Sequence, residues 1–194
     1  MSGLTGLVAE DRRLLRIAGA EARDWLQSLV TNDVAQAGRD RAVYAALLTP
    51  QGKYLADFFL LEEGEALLLD VAAGLAPALM KKLALYKVRR KVTIEDASDR
   101  LGVALLWGGD APEPPEGATV APDPRDARLG WRLYAADPAA ALAALDAAPG
   151  ARAAYDALRV AACAPESGVE LLPEESFILE MGFDRLNGVD FRKG

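Results

Sequence analysis

Apolar and polar positions alternate in short blocks along most of this chain, and the spacing inside each block predicts an element. Residues 4–9 and 13–18 are apolar runs parted by Glu10-Asp11-Arg12, which reads as two strands and a polar turn, with Gly19 closing the second. From Ala20 to Val30 the positions Ala22, Trp25, Leu26, Leu29 and Val30 fall at helical spacing. Thr31-Asn32-Asp33 then ends that helix with side chains that bond locally to backbone. Residues 42–48, 53–61 and 66–71 are three further strands. Thr49-Pro50-Gln51-Gly52 supplies the first turn between them, and Glu62-Glu63-Gly64-Glu65 the second. Tight turns between consecutive strands predict an antiparallel sheet.

Leu75, Leu79, Leu83 and Tyr86 repeat every three or four residues, so 75–87 is an amphipathic helix. Strands follow at 91–95 and 101–107, then a proline-rich stretch at 108–128 that reads as an exposed loop. Residues 129–135 are a strand, and 138–147 are an alanine-rich helix opened by Pro138. After Pro149-Gly150 a last helix covers 151–163, and the tail from Ala164 is mostly irregular. The pattern is α+β, with mostly antiparallel sheet and packed helices. It suggests a discontinuous first domain, 1–50 plus 149–194, holding an inserted α+β domain at 51–148.

Composition narrows the chemistry. The chain has 194 residues, a net charge of −7 and one cysteine. Acidity argues against binding dominated by phosphate contacts, and a single cysteine excludes an internal disulfide. There is no basic segment followed by an apolar run at the start, and no stretch suited to crossing a bilayer, so a cytoplasmic protein with no membrane partner is expected. Histidine is absent, which removes imidazole general bases, Ser-His-Asp triads and the usual zinc sites. No metal site is expected. Neither a P-loop nor a dinucleotide fingerprint occurs.

Two constellations remain. Asp57 interrupts the apolar strand Leu55-Ala56-Asp57-Phe58-Phe59, where a buried carboxylate needs partners. Strict alternation places Lys53, Leu55, Asp57, Phe59 and Leu61 on one face, and Tyr54, Ala56, Phe58 and Leu60 on the other. Between Lys81 and Lys91 there are six cations, with no acid from Asp70 to Glu95. That run is either a solvated helix face or an anion site, the planar fork of arginine suiting a carboxylate. Without interleaved aromatics beyond Tyr86, the run argues against direct RNA binding.

Several segments, in order, carry a resemblance. Trp25-Leu26-Gln27-Ser28-Leu29-Val30-Thr31-Asn32-Asp33-Val34, Pro50-Gln51-Gly52-Lys53-Tyr54-Leu55-Ala56-Asp57-Phe58, Tyr86 to Ile94, Asp123-Pro124-Arg125 with Leu129-Gly130-Trp131-Arg132, and Asp190-Phe191-Arg192-Lys193-Gly194 resemble the YgfZ family. Those proteins are folate-binding relatives of the glycine cleavage T-protein. Lys193-Gly194 looks like the opening of that family's Lys-Gly-Cys-Tyr-x-Gly-Gln-Glu signature, halted before the cysteine and with the family's C-terminal barrel absent. The resemblance implies a tetrahydrofolate-binding accessory protein that supports iron–sulfur cluster assembly or repair and tRNA modification. The alternative is a folate-dependent aminomethyl transferase, against which Ala56 stands, because the T-protein carries a second aspartate there. It further implies Asp57 and Lys193 as functional groups, with Tyr54, Asn32, Asp33, Arg89 and Arg132 binding the folate. A reduced folate and iron–sulfur client proteins would be the partners. Lys193 is expected on a loose segment beside a cleft.

Overall fold

The structure, a computed structural model, describes residues 3–193; Gly194 lies outside the described residues. The alternating blocks become β1 (Thr5–Val8), β2 (Arg12–Ala18), β3 (Val43–Leu48), β4 (Tyr54–Glu63), β5 (Ala66–Ala72) and β6 (Thr93–Asp96). After these come β7 (Gly102–Trp107), β8 (Thr119–Pro122), β9 (Trp131–Ala135) and β10 (Ala148–Pro149). The helical blocks become α1 (Ala22–Gln27), α2 (Ala76–Lys87), α3 (Pro138–Ala144) and α4 (Arg152–Ala161). The strands form two five-stranded sheets, with orders β3-β4-β5-β2-β6 and β10-β1-β7-β9-β8. All pairings are antiparallel except β1 with β10.

The inner faces of the two sheets meet in one core. Leu14, Tyr44, Phe59, Leu61 and Leu68 come from the first sheet, and Val103, Leu105, Ala121 and Tyr134 from the second. The outer face of the first sheet, with Phe58, Leu60, Leu67 and Leu69, is covered by α1 and α2. The outer face of the second, with Leu106 and Leu133, packs beside Ala141 of α3. The result is the expected α+β architecture with mostly antiparallel sheets, and neither sheet closes into a barrel.

Some elements differ from the sequence reading. β1 and β2 do not pair with each other; the turn at Glu10-Asp11 carries the chain from one sheet to the other. The proline-rich loop hides β8, where Thr119-Val120-Ala121 pair with β9 on an edge that tolerates Pro122. Strand pairing also runs across residue 50, because β3 and β4 form a hairpin from Val43 opposite Leu60 to Leu48 opposite Tyr54. A division into 1–50 plus 149–194 and 51–148 therefore cuts the first sheet. The two chain regions do meet: the Asp190 amide donates to the Thr31 carbonyl at 3.1 Å, and the Thr31 hydroxyl to the Gly188 carbonyl at 2.7 Å.

The tail beyond α4 is not loose. Phe183 and Leu186 are buried, and Phe183 stacks on Tyr44 with ring centroids 5.0 Å apart. Gly and charged residues around them suggested flexibility from composition. Two apolar anchors and backbone bonds to residue 31 decide otherwise.

Candidate functional site

The site begins with a defect in β4. Leu47 pairs with Ala56, but Leu48 pairs with Tyr54, so Leu55 is the extra residue of a β-bulge. The bulge resets the alternation. Tyr54 turns to the same inner face as Asp57 and Phe59, and Ala56 packs into the outer core. Strict alternation had placed Tyr54 opposite Asp57; the bulge brings them together.

Asp57 is 4 % exposed, and three hydroxyls converge on it. Tyr54 donates to Oδ1 at 2.7 Å, Tyr44 donates to Oδ2 at 3.0 Å, and Ser167 also donates to Oδ1. Burial, followed by the negative charge of Asp57, pushes both tyrosine hydroxyls well above their ordinary range, so they remain donors. Among the described residues, the carboxylate's partners are thus hydroxyls and no cation. Ser167, from the turn region after α4, carries no motif, and nothing in the sequence singled it out.

Beside this cluster lies a buried ion network that joins the sheets. Arg12 donates to Asp70 Oδ1 at 2.6 Å, Arg132 to Asp70 Oδ2 at 2.8 Å, and Tyr134 to the same Oδ2 at 3.0 Å. Arg125 clasps Asp123 through both carboxylate oxygens, at 2.9 and 2.8 Å. Burial alone would raise Asp70 and Asp123, but Arg12 and Arg132 at the first, and Arg125 at the second, hold both below the usual carboxylate range. Phe59 is the common platform, with the guanidinium carbons of Arg132, Arg125 and Arg12 lying 3.8, 4.8 and 5.7 Å from its ring centroid. Asp70 was recoverable from sequence. It is a carboxylate in an apolar strand, the same signal that marked Asp57.

The cavity bordered by Asp57, Phe59, Arg12, Arg125 and Arg132 has a volume of only about 40 Å³. That is room for a group of about water size, not for a two-ring pterin. Asp57 and its hydroxyls therefore do not fit a folate directly.

A larger cleft, about 610 Å³, opens on the other side of Tyr44. Residues 42–44, where β3 begins, border it, with Asn32, Gln36, Arg41, Asp190, Phe191 and Arg192 around it, whereas the Tyr44 ring itself is fully buried between Phe59 and Phe183. Asn32 is largely committed to structure, its amide donating to the carbonyls of Tyr44 at 2.8 Å and Asn187 at 2.6 Å. Asp33 caps the 3-10 turn Val34–Gln36 by accepting from the Ala35 amide at 3.0 Å.

Lys193 is also held in place, its ammonium donating to the Val30 carbonyl. Burial lowers its pKa, against the pull of Asp33 and Asp190. Arg132 and Tyr54 thus belong with Asp57, whereas Asn32, Asp33 and Lys193 cluster where the tail crosses residues 30–33. Arg89 belongs to neither: it is exposed just beyond α2, on the outer face of the first sheet. Folding sets the basic run behind the sheet that bears Asp57.

Among the described residues, no helix is long and apolar enough to cross a membrane, and no three His, Cys, Asp or Glu side chains are grouped as metal ligands.

Comparison with known proteins accords with this architecture. The mitochondrial iron–sulfur cluster assembly factors IBA57 of Homo sapiens and Mus musculus are each 34 % identical over 95 % of this chain and 58 % of their own length. The homologue of Pyricularia oryzae is 30 % identical over all of this chain and 51 % of its own length. The chain thus spans about half the length of the curated relatives it matches. These relatives are mitochondrial by name, which overturns the expectation of a cytoplasmic protein. Aminomethyltransferase T of the glycine cleavage system of Bartonella henselae superposes with a TM-score of 0.65 at 17 % identity, covering 82 % of this chain and 51 % of that one, a likeness of fold. The GCVT N-terminal domain matches residues 11–122, more than half of the sequence, and the chain belongs to that family.

Proposed function

We propose that this chain is the ligand-binding part of an accessory factor of the YgfZ type. It supports iron–sulfur cluster assembly or repair and, through it, tRNA modification, and it takes a reduced folate as its small-molecule partner. The names of the relatives support the assembly role. The observation that carries the ligand reading is the cleft of about 610 Å³, a size suited to a drug-sized molecule, bordered by Phe191 and by polar side chains. Tetrahydrofolate would lie against Phe191, with Arg41 and Arg192 available to its carboxylates. Asp57 acts from behind as a positioning residue: its bond to the Tyr44 hydroxyl anchors β3, at whose start residues 42–44 border the cleft.

Titration calorimetry with tetrahydrofolate tests this. Arg41→Ala, on the wall, should weaken binding about tenfold, the loss of one charge-assisted contact. Arg89→Ala, behind the sheet, should bind as the parent does. Equal weakening in both, or in neither, would move the ligand out of this cleft. No heat at all would remove folate from the reading.

A further inference from the structure

The basic run absorbs none of the folate reading, and its surroundings give it a different use. α2 is followed by its C-cap, Val88, whose φ of 43° and ψ of −111° put a β-branched residue in backbone space it rarely adopts. Val88 is 79 % exposed, and Leu85, one turn earlier, is 65 % exposed. Lys81 lies one turn before Leu85, Lys87 and Arg89 flank Val88 in sequence, and none of the three makes an ion pair among the described residues. Arg90 is engaged with Glu21 at 2.9 Å, and Lys82 lies over the Tyr86 ring at 5.8 Å.

Alongside α2 runs a mainly apolar groove of about 370 Å³. Leu55 and Leu79 help to line it, together with Leu85, Lys81, Lys82 and, as its one carboxylate, Glu174.

We propose that this face docks an acidic protein segment that sets an apolar side chain into the groove and its carboxylates against Lys81, Lys87 and Arg89. Charge complementarity selects the partner. The chain carries −7 overall, so a run of six cations with no acid in sequence from 71 to 94, of which Arg90 is paired with Glu21, is a local reversal of sign. Concavity selects a protein over a lipid surface: a groove receives a side chain, whereas an interfacial helix inserts a protruding apolar stripe. An anionic bilayer would also meet the net negative charge of the rest of the molecule.

The probe is a fluorescent helical peptide with a leucine stripe flanked by glutamates, titrated with the whole chain. Phosphatidylglycerol vesicles are titrated in parallel. Saturable peptide binding is expected, weakening as salt rises from about 0.05 to about 0.3 M. Lys81→Glu with Arg89→Glu should weaken it at least about tenfold, and Leu85→Asp by a similar factor, with unchanged melting temperatures because these side chains are exposed. Glutamate reversal that leaves affinity intact would overturn the proposal. So would binding to vesicles without binding to the peptide, and so would no peptide binding at all.

Discussion

Asp57 and Asp70 each interrupt an apolar strand, and each escapes the cost of burial by a different route. Asp57 collects three hydroxyls, and Asp70 collects two guanidinium groups and one hydroxyl. Asp57→Ala leaves Tyr44, Tyr54 and Ser167 without their acceptor, although Tyr54 and Ser167, 2.7 Å apart, can still pair with each other. The expected loss is about 2–4 kcal/mol, since each stranded buried hydroxyl costs on the order of 1–3 kcal/mol. Calorimetric melting should register a fall of roughly 5–12 °C for a chain of this length. Tyr44→Phe strands the buried Asp57 Oδ2, for which Tyr44 is the donor, and should cost about 2–3 kcal/mol.

The pH dependence follows from Asp70 and Asp123. Both have folded pKa values depressed below their unfolded value, so their stabilisation is complete above about pH 4 and is lost as pH falls through the lower folded values. Urea midpoints should therefore decline as pH falls below about 4, the unfolded carboxylate value. Asp70→Asn should be less stable at pH 7 and show a shallower decline over that range. A slope equal to the parent's would mean that acid lability arises elsewhere.

At the scale of elements, what was legible was whatever local pattern decides. The β3–β4–β5 meander followed from turn residues and apolar runs, and α2 from its leucine spacing. What was missed depends on partners remote in sequence. The bulge at Leu55 is fixed by how β3 lies against β4, and no period within β4 reveals it. β8 is a strand because β9 offers it a ladder, although prolines flank it. Phe183 gains its burial from Tyr44, some 140 positions earlier in a chain whose local composition there is glycine and charge. The candidate site fared likewise. Asp57 and Arg132, singled out from sequence, lie beside one another, whereas Ser167 carries no signal in the sequence and Arg89 lies apart, on the outer face of the first sheet.

One turn permits a sharp test at this scale. Gly19 closes β2 with a φ of +116°, and a Cβ there would lie 2.1 Å from the Lys91 carbonyl oxygen, against backbone that cannot rotate away. Gly19→Ala should destabilise by about 2–3 kcal/mol through conformational strain and that contact. A variant with unchanged urea midpoint would mean that the strand end opens freely.

For the molecule as a whole, the question is whether the two sheets unfold separately or as one. They share a core rather than merely abut. Arg132 of β9 reaches Asp70 of β5, so a charge pair with both side chains almost fully buried spans the interface. Pulling the sheets apart would strand that pair in a half-open structure, at a cost of about 3–5 kcal/mol for a broken buried pair, besides exposing Phe59 and Leu105. A state with one sheet folded is therefore poorly populated, and unfolding should be two-state. The three tryptophans can report this. Trp25 sits in the core behind the first sheet, whereas Trp107 and Trp131 belong to the second. In a variant retaining only Trp25, and in one retaining only Trp131, fluorescence should change at the same urea concentration, coincident with far-ultraviolet circular dichroism. Arg132→Met should lower both midpoints together. If the Trp131 transition preceded that of Trp25, the second sheet would be a separable unit, and the buried Asp70–Arg132 pair would not be what couples the two layers.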